Sequence, residues 1–294
     1  PITFGHKCAI WLDEMLRHLE RLSALEARVF VGSLVGAVGS QAALGPKARE
    51  IETRLMQRLG LDVPHISFAP ARDRFVEYAT VLGLFGGTLA KIANEMFNLG
   101  RNEVGEVEEL FTAGKIGSST MPHKRNPVIA ENLIGLGRAL RHNVAMMLEA
   151  MVQEGERDAA SWKTEWKALP EACMITGAML AQTKRLLEGV KVDEAAMRRN
   201  LDILAGYLLS ERVMLALGER VGKQTAHQWV YEASMRGIED QLPFAAALRG
   251  HARIRDAFDD DEITRLTDPA TYTGECEAAI DRVLVAAKAA RVIN

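Results

Sequence analysis

Apolar residues recur at three- and four-residue steps along most of this chain, the spacing that lines one face of an α-helix. Ile10, Trp11, Met15, Leu19, Leu22, Leu25 and Val29 predict a first helix from about Thr3 to Phe30. Val31 to Gly45, with glycines at 32, 36, 39 and 45, reads as a flexible loop. It lacks phosphate-loop spacing and no strand precedes it, so no nucleotide site is expected there. Pro46 opens a second helix carrying Ile51, Leu55, Met56 and Leu59, and Asp62 to Pro70 is a proline-punctuated connection. A third helix, Arg72 to about Asn102, carries Phe75, Tyr78, Leu82, Phe85, Leu89, Ile92 and Met96. Gly83, Gly86 and Gly87 lower its propensity and are read as points of close helix–helix approach.

A long loop from Val104 to Asn126 follows, acidic at first and then basic. Loops of this length inside a helical protein are often functional. The fourth helix runs from Pro127 to about Val152 through Leu133, Leu140, Val144 and Met147, with Asn126 as N-cap and Pro127 as first helical residue. Gln153 to Lys167 reads as a polar corner and Leu169 to Leu187 as a fifth helix. Beyond Gly189 the helices shorten: Asp193–Ile203, Leu208–Arg220, Gln224–Met235 and pieces to Val292, broken by Pro243, Pro269 and Gly274. No convincing strand appears. The expected fold is all-α, with a long five-helix bundle over residues 1–190 and a smaller helical domain over 191–294. Apolar stripes on an elongated bundle are hard to satisfy in one copy, so the long helices are expected to pack against copies of themselves.

Composition narrows the function classes. The 294 residues are 48% apolar and 26% charged with a net charge of −3, which leaves no basic footprint for nucleic acid and no acidic tail. A small molecule is the expected partner. Cys8, Cys173 and Cys276 are far apart and lack metal-ligand spacing, and read as reduced thiols of a cytosolic protein. Cys276, between Glu275 and Glu277, is read as unreactive, and His227 as a capping or core residue. The longest mostly apolar stretch, Ala79 to Ala90, is too short and glycine-rich to cross a bilayer, and no signal peptide is read. Neither metal nor organic cofactor is expected.

The chemistry concentrates in Gly114-Lys115-Ile116-Gly117-Ser118-Ser119-Thr120-Met121-Pro122-His123-Lys124-Arg125-Asn126-Pro127. Removing a proton beside a carboxylate builds two negative charges on one carboxyl group, and a site must pre-place donors and cations where that charge develops. Backbone N–H groups of residues 117–120, Lys124 and the helix start at Asn126–Pro127 suit that task. They would also lower a nearby serine's pKa enough for it to serve as a base.

The run Gly-Ser-Ser-Thr-Met-Pro-His-Lys-Arg-Asn-Pro resembles the fumarase/aspartase superfamily, in the branch of adenylosuccinate lyase and 3-carboxy-cis,cis-muconate cycloisomerase. The resemblance implies that Ser118 is the base, with Ser119, Thr120, Met121, His123, Lys124 and Asn126 contacting a di- or tricarboxylate substrate. Glu131, one turn into the fourth helix, would orient a catalytic histidine. On its own it also reads as an acidic residue favoured by the helix dipole. The resemblance further implies a homotetramer with a central twenty-helix bundle and active sites shared between subunits. Pro1-Ile2-Thr3-Phe4-Gly5 looks like the tail of the family's histidine segment, so the chain is expected to be the last two-thirds of a longer enzyme. Standing alone it would be nearly inactive.

Within the branch, Glu156 to Pro170 decides between substrates. Trp162 and Lys163 occupy the places of two serines that grip a nucleotide phosphate in adenylosuccinate lyases, and Trp166 replaces their arginine. Tryptophan cannot make arginine's bidentate phosphate contact, so a nucleotide is disfavoured. Trp-x-x-Glu-Trp-x-x-Leu-Pro, Met197-Arg198-Arg199-Asn200-Leu201 and Asp268-Pro269-Ala270-x-Tyr272-x-Gly274 resemble the carboxymuconate cycloisomerases of aromatic catabolism. Glu131-Asn132 looks more like the fumarate-releasing lyases. The expected activity is cycloisomerase-like. The alternatives are a fumarate-releasing C–N lyase on a non-nucleotide N-substituted aspartate and a catalytically silent helical oligomer.

Overall fold

The computed structural model describes residues 1–110, 120, 121 and 123–293. They fall into two compact units, one of Trp11–Asn102 and Val107–Lys191, the other of Pro1–Ile10, Glu103–Glu106 and Val192–Asn294. The described fold is all-α, with two two-residue strands, Val107–Glu108 and Lys191–Val192, that no residue pattern announced.

The first unit is built on three helices, labelled α3 (Asp73–Leu99), α4 (Val128–Ala150) and α5 (Ala159–Gly189), after α1 (Phe4–Val29) and α2 (Ala48–Leu59). The predicted stripes of α3 and α4 meet, and α5 adds one that the sequence reading did not name: Leu82, Leu89, Ile92 and Met96 of α3, Leu133, Leu140 and Met147 of α4, and Ala168, Ala172, Met179 and Leu186 of α5 are all buried. Gly83 and Gly86 let α3 and α4 touch. A Cβ on Gly86 would lie 2.3 Å from Leu140 Cδ2, and one on Gly83 would lie 2.7 Å from Val144 Cγ2. Gly137 of α4 answers from the other side, 2.7 Å from the Ala90 methyl. Gly87 differs from expectation, because a methyl there would meet nothing within 4 Å. α3 is long and apolar enough to cross a membrane by length and composition, and half of its most apolar stretch is buried in the unit.

The largest departure is α5, which begins ten residues before the expected Leu169. Asp158 caps it, its carboxylate accepting from the N–H groups of Ala160 (2.9 Å) and Ser161 (3.2 Å). Pro170 then lies inside the helix. Its ring crowds the carbonyl of Trp166, four residues back, and cannot donate to it. The early turns are held by a buried ion pair between Arg72 and Glu165, Nε to Oε2 at 2.7 Å. Trp162 adds an indole N–H to Ala69 O at 3.3 Å. Arg72 thereby serves as the N-cap residue of α3 and not its first turn.

The Val31–Gly45 loop is pinned. Glu52 of α2 is 1% exposed and accepts from Leu34 N, Gln41 Nε2 and Arg49 Nη1 at 2.8–3.0 Å. Burial raises its pKa, but these three hydrogen bonds and the charge of Arg49 outweigh burial and hold the carboxyl below its ordinary range.

The second unit holds α6 (Glu194–Leu201), α7 (Ser210–Val221), α8 (Lys223–Glu239), α9 (Phe244–Gly250), α10 (Ala252–Ala257), α11 (Asp260–Leu266) and α12 (Cys276–Ala289). Its core is Val213, Leu217, Val230, Phe244, Leu248 and Phe258 with their neighbours. Two stretches singled out by the sequence meet here, since Arg198 pairs with Asp268 at 3.3 Å. Asn200 donates to Val104 O and Glu106 Oε1, both at 2.8 Å. These motifs act as staples of the unit. Cys276 is buried, and His227 is exposed on α8, in the core of nothing.

Candidate active site

Ser118 and Ser119 lie outside the described residues. Of the remaining expected site residues, Thr120, Met121, His123, Lys124 and Glu131 are exposed, and Asn126 is half-buried. The backbone fixes their approach to α4. Lys124 N donates to Met121 O at 3.0 Å, and Val128 N to Asn126 O at 2.9 Å. That second bond closes an inverse γ-turn on Pro127, whose φ of −78° and ψ of 64° match its geometry. Helix α4 therefore begins at Val128, with Pro127 and not Asn126 in the N-cap place, and Pro127 makes no side-chain cap bond.

The cap comes from elsewhere. The Glu109 carboxylate accepts from Ile129 N at 3.0 Å through Oε2 and from Ala130 N at 2.8 Å through Oε1. These are the two N–H groups that a capping Ser or Asp ordinarily satisfies, and they carry the positive end of the helix dipole. One residue earlier, Glu108 is ion-paired with Arg125. Both pairs connect the chain just before the candidate loop to the chain just after it. Glu131 follows Ala130 directly in the first turn, its N–H donating to Pro127 O at 3.0 Å. Sequence reasoning missed Glu109, because a cap twenty residues upstream leaves no local spacing to read.

Elsewhere in the unit, a groove of about 490 Å³ runs between α1, α3 and α5, lined by Met15, His18, Leu22, Leu82, Phe85 and Leu180 among others. It contains none of the expected site residues. Its polar edge is His18, 3% exposed, whose Nε2 lies 2.8 Å from Thr88 Oγ1. No group of three His, Cys, Asp or Glu residues able to hold a metal occurs among the described residues.

Residues 1–140 match a family described as "Lyase", and residues 206–283 match one described as "Adenylosuccinate lyase C-terminus". The chain is 50% identical to N-acetyl-S-(2-succino)cysteine lyase of Enterococcus italicus, an alignment covering 97% of this chain and 63% of that protein. It is 41% identical to 3-carboxy-cis,cis-muconate cycloisomerase of Pseudomonas aeruginosa, over 97% of this chain and 62% of the other. The crystal structure of the 3-carboxy-cis,cis-muconate lactonizing enzyme from Pseudomonas putida superposes with a TM-score of 0.91 at 38% identity, covering 97% of this chain and 63% of that one. The chain thus spans less than two-thirds of the length of the curated relatives it matches. With the loop motif, the all-α fold and these likenesses in agreement, the chain belongs to the fumarase/aspartase superfamily.

Proposed function

We propose that the complete protein catalyses β-elimination from a 2-substituted succinate, breaking a carbon–sulfur bond and releasing fumarate. The observation that carries this reading is the identity to two N-acetyl-S-(2-succino)cysteine lyases, 50% to the Enterococcus italicus protein and 47% to that of Dickeya dadantii, each over 97% of this chain. Such a thioether carries a proton on the carbon next to one succinyl carboxylate. Ser118 takes that proton, the electron pair passes onto the carboxylate, and its return expels sulfur as the thiolate. A cysteine thiol of pKa about 8.5 leaves with little help from an acid, unlike an amine. Lys124, His123, Asn126, Ser119, Thr120 and Met121 bind the carboxylates and hold the doubled charge. Glu131 orients the histidine that the family supplies from another segment.

Both relatives' substrates, read from their names, carry three carboxyl groups, which agrees with a cation-bearing loop. The exposed site residues need covering to exclude water. Half-exposed Leu84, Leu148 and Leu180 on the bundle helices are surfaces for the other copies of a homotetramer with shared sites.

The second reading is lactone closure in 3-carboxy-cis,cis-muconate, favoured by the 41% identity and the TM-score of 0.91. Supplying the complete protein with each substrate separates the two. Fumarate appearing from N-acetyl-S-(2-succino)cysteine, with the muconate diene absorbance unchanged, supports the lyase. The reverse pattern replaces it with the cycloisomerase.

A further inference from the structure

Resting on the elimination reading above, we infer that Glu109 is a positioning residue for the reaction. Its carboxylate ties the start of α4 to the chain twenty residues upstream. It thereby sets where Glu131, Lys124 and Asn126 stand relative to one another.

Three observations carry this. Pro127 occupies the N-cap place of α4 and makes no side-chain cap bond. Glu109 replaces that cap with both oxygens, at 3.0 Å to Ile129 N and 2.8 Å to Ala130 N. The ion pair of Glu108 with Arg125 stitches the same two strands of chain one step further out. A bidentate carboxylate on two successive N–H groups fixes direction as well as distance. Glu131 follows Ala130 directly in the first turn, so its carboxylate inherits that direction.

The same geometry reassigns the helix terminus. By sequence, the start of α4 is a place to hold a substrate anion. In the structure its N–H groups at residues 129 and 130 already hold an anion, and that anion belongs to the protein. Substrate carboxylate is therefore left to side chains such as Lys124 and His123. Without Glu109, the bare terminus would compete for substrate and hold it wrongly.

The test uses the complete protein with Glu109→Ala and Glu109→Gln. The alanine variant uncovers two N–H groups and leaves a space the size of a small carboxylate. Its kcat should fall at least about tenfold, the scale of losing one aligned interaction of cap strength. Formate should restore much of that kcat, while wild type ignores formate. The glutamine variant, which keeps the shape and fills the space, should lose kcat without rescue, and it supplies the answer if the alanine variant does not fold. Unchanged kcat and KM in both variants would overturn the inference. So would a loss matched by lowered melting temperature and untouched by formate. Amide hydrogen exchange at Ile129 and Ala130 separates this inference from the choice of reaction. Faster exchange in Glu109→Ala, slowed again by formate, upholds the clasp even where wild type cleaves no succinyl thioether, and that outcome would count against the elimination reading alone. Exchange equal to wild type overturns the clasp whatever the substrate.

Discussion

His18 Nε2 and Thr88 Oγ1 stand 2.8 Å apart across the α1–α3 contact, and their roles in the bond are determined by what each touches next. The Thr88 hydroxyl donates to Glu14 Oε1 at 2.6 Å, so it accepts from His18 Nε2–H. Nδ1 then carries the lone pair, and Arg21 donates to it at 3.2 Å. Glu14 is also ion-paired with Lys91. The Arg21 bond requires a neutral imidazole, since a protonated Nδ1 could not accept it.

A pH dependence of stability follows. Burial pushes the His18 pKa below its ordinary 6.5, and the charges of Arg21, Arg17 and Lys91 push the same way against Glu14. The unfolded chain then binds a proton that the folded chain refuses. The contribution of His18 is complete above about pH 6.5 and is lost as pH falls from there toward the lower folded value. Burial raises the Glu14 pKa, but Lys91 and Thr88 outweigh it, so Glu14 adds a further loss once pH falls below its ordinary 4.5. Chemical denaturation of wild type and His18→Gln between pH 8 and 5.5 should show the wild type losing up to about 1.4 kcal/mol more per pH unit. Parallel curves would contradict the assignment.

The Arg72–Glu165 pair predicts an asymmetric response to mutation. Both side chains are nearly buried, at 11% and 6% exposed. Glu165→Ala strands a guanidinium beside the Phe75 ring, 4.3 Å away, and should cost about 3–5 kcal/mol in urea unfolding. The double variant Arg72→Met/Glu165→Leu should recover at least half of that loss, because an apolar pair leaves no buried charge. A double variant as unstable as the single one would show that the pair does more than balance charge.

The α3–α4 seam allows a paired comparison of neighbouring glycines. Gly86→Ala drives a methyl into fully buried Leu140 and should destabilise by about 1–3 kcal/mol, despite better helix propensity. Gly87→Ala faces open space and should stabilise by about 0.5–1 kcal/mol. Thermal melts of the two variants should move in opposite directions.

Catalysis gives the fourth prediction. Ser118→Ala in the complete protein should reduce fumarate release by about 10²–10⁴-fold, the range for removing a general base. Lys124→Ala should act mainly on KM if it binds a carboxylate equally in ground and transition states, and on kcat if it holds the developing charge. A Ser118→Ala variant at wild-type rate would remove the serine from the mechanism.

What the sequence conveyed was local. The stripes of α3 and α4 and the use of Gly83 and Gly86 could be read from spacing alone, because helix period and missing side chains are properties of adjacent residues. The loop motif was legible for the same reason, although its serines fall outside the described residues. The early start of α5 was hidden by its polar first turns and by Pro170, which ordinarily opens a helix and here lies inside one. Glu109, Glu165 and His18 were invisible because each takes its meaning from a partner on another element, at separations of 20, 93 and 70 residues.

The glycine seam also has a mechanical side. Gly137 seats α4 against Ala90 of α3 near the middle of its 23 residues, with about 14 Å of helix before it and about 20 Å after. A rod wedged at that point has a fulcrum. Any tilt that repositions Glu131 on one side swings Ala150 the opposite way at the other end, through an arc about twice as long.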